Sequence, residues 1–174
     1  MKKVFVLLTA ILINQGCSAM NFKATTKKMD LDQFMGTWYV QTGRVTFLER
    51  GGHNPTEIYT FNDKENRIDI DFTYNKDALD GKLKAIPQKG WVHNAPINTH
   101  WKVSPLWPLK LDYLVLDFAK DYSWCAIGVP SGKYLWVMTR EKNLSVETEL
   151  TDVMSSLKKM NYPLENLETF KHSK

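Results

Sequence analysis

The amino-acid sequence predicts an all-β domain of eight short antiparallel strands followed by one α-helix. Between Thr37 and Thr139, apolar and polar residues alternate in short runs, which is the pattern of half-buried strands. The connections between these runs are short, so successive strands pair with each other and parallel crossovers are excluded. Apolar residues at helical spacing follow the last run. Eight such strands form a sandwich or close into an up-and-down barrel.

Composition limits the number of domains and the partners. The 174 residues are 43% hydrophobic and 24% charged, which suits one soluble domain with a sizeable core. The formal net charge of +4 falls to +2 when the first residues are removed, because only Lys2 and Lys3 are lost. No cluster of Lys and Arg follows, so nucleic acid is not a predicted partner.

Residues 1–19 are predicted to be an export signal. Lys2 and Lys3 precede an apolar run from Val4 to Ile13. That run is too short to span a bilayer as a helix and fits the apolar region of a signal peptide. The protein is therefore expected outside the cytoplasm.

The sequence is compatible with two alternative processing sites. Gly16 and Cys17 resemble a bacterial lipobox, in which the signal is cleaved before a cysteine that becomes lipidated. Ser18 then resembles the second residue of lipoproteins sorted to the outer membrane, which implies a lipid anchor facing the periplasm. Ordinary cleavage after Ala19 would instead leave a soluble periplasmic or secreted protein. Residues 20–28 are polar without periodicity and are expected to be a tether.

The clearest strand runs from Arg67 to Tyr74, where apolar and polar side chains alternate strictly. It follows a strand containing Tyr59 and Phe61, and the turn at 62–66 makes the two a hairpin. The first strand begins at Thr37. Further strands are predicted at Leu83–Ile86 (with an extension to Val92 left open), Thr99–Val103, Asp112–Phe118, Tyr122–Val129 and Tyr134–Thr139.

The helix is predicted from an apolar stripe that includes Leu150, Val153 and Leu157. Ser145 is its expected N-cap, and Pro163 lies beyond its expected end. A single stripe predicts that the helix packs flat against the outside of the sheet.

Two further short elements are predicted, one before the first strand and one after the helix. Asp30 and Gln33 have the spacing of a capping box, with Met29 and Phe34 placed as a hydrophobic staple. Residues Leu167 to Phe170 are predicted to form a final short strand.

Three motifs in this order resemble those of the lipocalins. Gly36-Thr37-Trp38-Tyr39 is similar to the signature at the start of the first strand, Lys120-Asp121-Tyr122 to the second motif, and Arg140 to the third. The resemblance covers about Asp30 to Phe170, and the domain is assigned to residues 29–174. Glu49-Arg50-Gly51 and the segment 134–140 are most similar to bacterial lipocalins, many of which are outer-membrane lipoproteins.

The resemblance implies a closed eight-stranded antiparallel barrel with the helix outside. Trp38 and Arg140 lie on the first and eighth strands, which are neighbours only if the barrel closes. The guanidinium is then expected over the indole face, closing one end of the barrel. Structural roles are expected for Gly36, Trp38, Asp121, Tyr122 and Arg140.

An open barrel interior suggests a carrier for one small hydrophobic ligand. The family resemblance implies a fatty acid such as palmitate, or a lysophospholipid, bound in the cell envelope. Alternatives are haem or another cyclic hydrophobe, or a filled barrel that acts as an interaction module. Whether the protein forms a homodimer is open. Strand parity predicts the lining residues Val40, Thr42, Tyr59, Phe61, Ile70, Phe72, Tyr74, Trp101, Val103, Tyr113, Val115 and Trp136.

Two loops are expected at the mouth of the barrel. The apolar segment Leu106–Leu109 either folds over the pocket or contacts a membrane or partner. The segment Phe47–Pro55, which contains two glycines and a proline, is the expected lid.

No catalytic, cofactor or metal site is predicted. The four histidines share no metal-ligand spacing with cysteine or carboxylate residues. Phosphate-binding and nucleophile-elbow motifs are missing. Cys125 is the one candidate nucleophile, and its place within a strand favours a buried, inert thiol.

Overall fold

The computed structural model describes residues 20–47, 49–142 and 146–173, without the side chains of 146–149. The predicted export signal, Cys17 and the predicted cap Ser145 lie outside the described residues. In chain order the elements are α1 (Leu31–Phe34), β1 (Gly36–Arg44), β2 (Gly52–Asn62), β3 (Arg67–Lys76), β4 (Leu83–Val92), β5 (His100–Ser104), β6 (Leu111–Phe118), β7 (Trp124–Gly128), β8 (Leu135–Thr139), α2 (Val146–Lys159) and β9 (Glu168–Thr169).

Strands β1 to β8 form a closed antiparallel barrel, which confirms the predicted fold class. Each strand pairs with the next along the chain, and β1 pairs with both β2 and β8. Closure leaves two ends. The turns β2–β3, β4–β5 and β6–β7 lie with α1 at one end, and the remaining four connections surround the other. We refer to these as the closed end and the open end.

The elements differ from the sequence expectations mainly at their boundaries. Strand β4 extends to Val92, as the sequence left open. Strand β2 begins at Gly52, so it includes the last four residues of the expected lid Phe47–Pro55. The loop at the mouth is therefore shorter than predicted and spans residues 45–51.

The first strand contains a β-bulge that reverses the direction of one predicted lining residue. Val40 pairs with Met138, but the next pair is Thr42 with Val137, so Gln41 has no partner on β8. Val137 belongs to the apolar cluster outside the barrel, and the Thr42 hydroxyl donates to the carbonyl of Glu168 on β9. The prediction that Thr42 faces the interior is wrong, because the extra residue shifts the parity of β1.

Helix α2 packs on the outer face of the barrel, as its single apolar stripe predicted. Leu150, Val153 and Leu157 are buried against Leu114 and Ala126 of β6 and β7. The residues after the helix pair with the upper part of β1 as β9. None of the described helices is long and apolar enough to span a bilayer.

The closed end is built around Arg140 and Trp38. The guanidinium carbon lies 3.8 Å from the centre of the Trp38 ring system, which is the contact that the motifs predicted. Gly36 has a φ of +92°, and a Cβ there would lie 3.4 Å from Arg140 Nη1. The carboxylate of Asp30 accepts hydrogen bonds from the backbone amides of α1, and the Tyr122 hydroxyl accepts one from the Asp30 amide at 2.9 Å. This end of the barrel is thus sealed by packed side chains.

The segment expected to be a tether, residues 20–28, is held against the barrel along much of its length. The amide of Phe22 donates to Pro130 at 2.8 Å, and that of Thr25 donates to Val115 at 2.9 Å. Phe22 also packs against Tyr162 with their ring centres 4.5 Å apart. These contacts extend the folded domain towards the predicted processing sites.

Candidate ligand-binding cavity

A cavity of about 240 Å³ opens at the end of the barrel opposite Arg140. Six of the eight strands and the loops at the open end contribute to its wall. The lining residues are Thr46, Phe47, Glu49, Glu57, Phe72, Ile86, Gln88, Val103, Pro105, Leu111, Asp112, Tyr113, Val129, Tyr134 and Trp136. The lining is largely apolar and aromatic, which suits a small hydrophobic ligand.

Large aromatic side chains fill the barrel below the cavity. Phe34 from α1 packs against Trp38, Tyr59 and Trp101, with ring centres 5.1–5.6 Å apart. Trp101 stacks in turn on Tyr113, at 5.6 Å and an interplanar angle of 11°. Since Trp38 and Trp101 are completely buried, the lower interior is a packed core and the space for a ligand is confined to the open half.

The twelve residues predicted to line the interior therefore divide into three groups. Four of them line the cavity: Phe72, Val103, Tyr113 and Trp136. Seven belong to the packed inner core or contact it: Val40, Tyr59, Phe61, Ile70, Tyr74, Trp101 and Val115. Thr42 lies outside, as described above.

Glu57 is a cavity residue that the sequence reasoning missed. It lies on β2, is 4% exposed, and lines the cavity. The hydroxyl of Tyr59 donates to its Oε2, and the hydroxyl of Tyr113 donates to the same oxygen at 3.1 Å. Burial raises the pKa of Glu57 to about 7, although the two hydroxyl donors favour the charged form. A carboxyl group thus titrates near neutrality beside the ligand space.

A second carboxyl group, that of Glu49, enters the cavity from the loop between β1 and β2. Its Oε2 accepts a hydrogen bond from the indole of Trp136 at 2.8 Å, and its Oε1 accepts one from the Thr46 hydroxyl at 2.6 Å. Burial raises the pKa of Glu49 above its usual range. The loop expected to be a lid is therefore fastened to β8 through a cavity side chain.

The rim of the open end is apolar. The side chains of Phe47, Leu106 and Trp107 are 75%, 71% and 74% exposed. Leu106 and Trp107 are therefore not folded over the pocket, although the neighbouring Pro105 lines the cavity. Contact of Leu106–Leu109 with a membrane or partner stays a prediction. Lys110, next to this loop, places its ammonium nitrogen 4.6 Å from the ring centre of Trp91.

Cys125 lies in the inner core and is completely buried. Burial and the nearby carboxyl of Glu57 raise the pKa of the thiol well above its usual value. Among the described residues, no group of histidine, cysteine, aspartate and glutamate side chains has an arrangement that suits a metal ion.

We expect iodoacetamide at pH 8 to leave Cys125 unmodified in the folded protein, because the thiolate is scarce and inaccessible. The same reagent should modify Cys125 fully in urea. Peptide mass mapping follows this residue separately from Cys17. Modification of the folded protein as fast as that of a small thiol would contradict the buried, inert state.

Comparisons with known proteins agree with this geometry. Residues 29–172 match the family model described as a lipocalin-like domain. The outer membrane lipoprotein Blc of Vibrio cholerae is 25% identical over 142 residues, which cover 80% of this chain and 81% of that protein. Temperature-induced lipocalin-1 of Arabidopsis thaliana is 27% identical over 130 residues, covering 70% and 68%.

Solved structures show the same fold at low sequence identity. Lobster apocrustacyanin A1 superposes with a TM-score of 0.62 at 14% identity, over 90% of this chain and 93% of that one. Insecticyanin from the tobacco hornworm Manduca sexta superposes with a TM-score of 0.59 at 16% identity, over 90% of each chain. At these identities the likeness concerns the fold alone.

Proposed function

The chain belongs to the lipocalin-like family, and on this basis we propose that it binds and carries one amphipathic lipid, a fatty acid or a lysophospholipid, in the bacterial cell envelope. The observation that supports the proposal is the cavity at the open end, walled by Phe72, Val103 and Trp136. Burial of an acyl chain there would contribute about 25 cal/mol per Å² of apolar surface, before the cost of ordering the ligand. Binding is reversible and involves no covalent chemistry.

The proposed location follows from the leader and from a relative. The Vibrio cholerae protein is named an outer membrane lipoprotein, and the predicted export signal of the present chain contains Cys17 at one of its two predicted cleavage sites. Lipidation of Cys17 would hold the domain at the membrane. Mass spectrometry of the processed N-terminal peptide tests this, since ordinary cleavage after Ala19 would remove the cysteine.

The first test is native mass spectrometry of the processed protein purified from the cell envelope. Denaturing extraction would then identify the bound molecule. A fatty acid or lysophospholipid that is released by a competing lipid supports the carrier function. A mass of the protein alone, unchanged when palmitate or a lysophospholipid is added, would contradict it.

Filling the cavity should prevent binding. We expect Val103→Trp to weaken palmitate binding at least about tenfold, because the indole occupies space that the acyl chain needs. Isothermal titration calorimetry measures the change. The matched control is Thr60→Trp, which adds the same side chain at an exposed position of β2. Unchanged palmitate affinity in a folded Val103→Trp protein would show that the ligand binds elsewhere.

A further inference from the structure

The charges of the cavity lining are all of one sign. Glu49, Glu57 and Asp112 line it, whereas no Lys, Arg or His does among the described residues. We propose that the cavity selects hydrophobic ligands that carry a protonated amine, with the carboxylate of Glu57 as the partner of the ammonium group. This inference rests on the proposed function, because it requires that an amphipathic lipid enters the cavity, and among such lipids it favours one that bears an amine over a fatty acid.

The hydrogen bonding of Glu57 leaves room for such a partner. Both tyrosine hydroxyls donate to Oε2, and among the described residues no group donates a hydrogen bond to Oε1. A buried carboxylate with one unpaired oxygen is costly, and an ammonium group that donates to it reduces that cost. An acyl chain that ended against Glu57 would offer no such donor.

The aromatic side chains next to Glu57 also favour a cation. Tyr134 and Trp136 line the cavity together with Glu57, and their ring centres lie 5.9 Å apart with the planes tilted by 36°. Aromatic faces attract ammonium groups, most strongly where water is excluded. Glu49 adds a second carboxyl near these rings through its hydrogen bond from the indole of Trp136.

The third acid, Asp112, is already paired with basic side chains that do not line the cavity. Asp112 accepts a hydrogen bond from Lys102 at 2.6 Å and lies 2.5 Å from the imidazole nitrogen of His100. The acids available to a ligand are therefore Glu57 and Glu49. A ligand carboxylate directed into the cavity would meet these two groups without a compensating cation.

Three eight-carbon probes that differ only in their polar group test this selectivity: octylamine, octanol and octanoate. At pH 8, where Glu57 is mostly ionised, we expect octylamine to bind about tenfold more tightly than octanol. Octanoate should bind more weakly than octanol. At pH 5.5 the preference for the amine should shrink and octanoate should improve, because Glu57 takes up a proton. The other titratable groups facing Glu57 are Tyr59, Tyr113, Cys125 and Glu49.

Variants assign the effect to one carboxyl group. Glu57→Gln keeps an oxygen that accepts from the tyrosines, and it should reduce the amine-to-alcohol ratio to about one. Glu65→Gln removes an exposed acid from the β2–β3 turn and should leave the ratio unchanged. Calorimetric titrations report all affinities, and circular dichroism reports folding.

The outcomes distinguish this inference from the function on which it rests. If octanol binds and octylamine binds no better at pH 8, the selectivity is wrong while the carrier function stands. The wild-type comparison at two pH values gives this result even if Glu57→Gln fails to fold. If none of the three probes binds but palmitate or a lysophospholipid does, the selectivity is wrong and the carrier function stands. If none of these molecules binds, both fail.

Discussion

Replacing Arg140 by alanine is expected to lower the free energy of unfolding by about 3–5 kcal/mol. The guanidinium donates hydrogen bonds to the carbonyls of residues 33–35 and of Thr37, at 2.7–3.0 Å. It also covers the indole of Trp38 at 3.8 Å. Arg140→Ala leaves these four carbonyls, three of them half-buried, without this donor and uncovers the Trp38 ring, so side chains no longer close this end of the barrel.

Urea unfolding followed by circular dichroism measures this loss. Arg67→Ala is the control, because Arg67 pairs with Glu65 and Asp69 on the outer face of β3, where ion pairs contribute little. Arg140→Lys should fall between the wild type and Arg140→Ala, since an ammonium retains the charge without the planar fork. An Arg140→Ala protein that unfolds at the same urea concentration as the wild type would contradict this account of the closed end.

The architecture was predictable because its determinants repeat along the chain. The alternation of apolar and polar residues located the strands, and the short connections between them indicated antiparallel pairing. The predicted proximity of Trp38 to Arg140 required closure of the barrel. The helix was predictable for the same reason, since Leu150, Val153 and Leu157 repeat at its period. Such signals are distributed over many residues, so an error at one position does not change the fold.

The cavity residues were harder to predict, because each assignment depends on a single position, where the alternation of apolar and polar residues is less informative. The bulge at Gln41 falls within the run Gln41-Thr42-Gly43, which has no large apolar side chain to reveal the change of parity. Glu57 was missed because charged residues are usually assigned to the solvated face. Its place two residues before Tyr59 was the available signal, because both positions of one strand face the same side.

The size of the cavity also could not be predicted from the alternation of apolar and polar residues. Alternation predicts which side chains face inward, but the remaining space depends on how they pack. Phe34 comes from α1 rather than from a strand, and it fills the lower barrel together with Trp101 and Tyr59. The ligand space is therefore shallower than the list of inward-facing residues suggested.

Stability should fall as the pH rises through the range in which Glu57 ionises. The pKa of this group is raised by burial from 4.5 to about 7. Between these values the folded chain holds a proton that the unfolded chain has released, so raising the pH favours unfolding. This loss of stability is absent below about pH 4.5 and complete above about pH 7, where the free energy of unfolding is lower by about 3 kcal/mol.

The comparison with Glu57→Gln isolates this contribution from those of the other acids. We expect the ligand-free variant and the wild type to have similar free energies of unfolding near pH 4.5. At pH 8 the variant should be more stable by about 3 kcal/mol. Urea titrations at intervals across this range give both curves, with Glu65→Gln as the exposed control. Parallel curves for the wild type and Glu57→Gln would mean that the carboxyl is solvated in the folded protein. An ammonium ligand would then gain little from it, because water would already satisfy the charge.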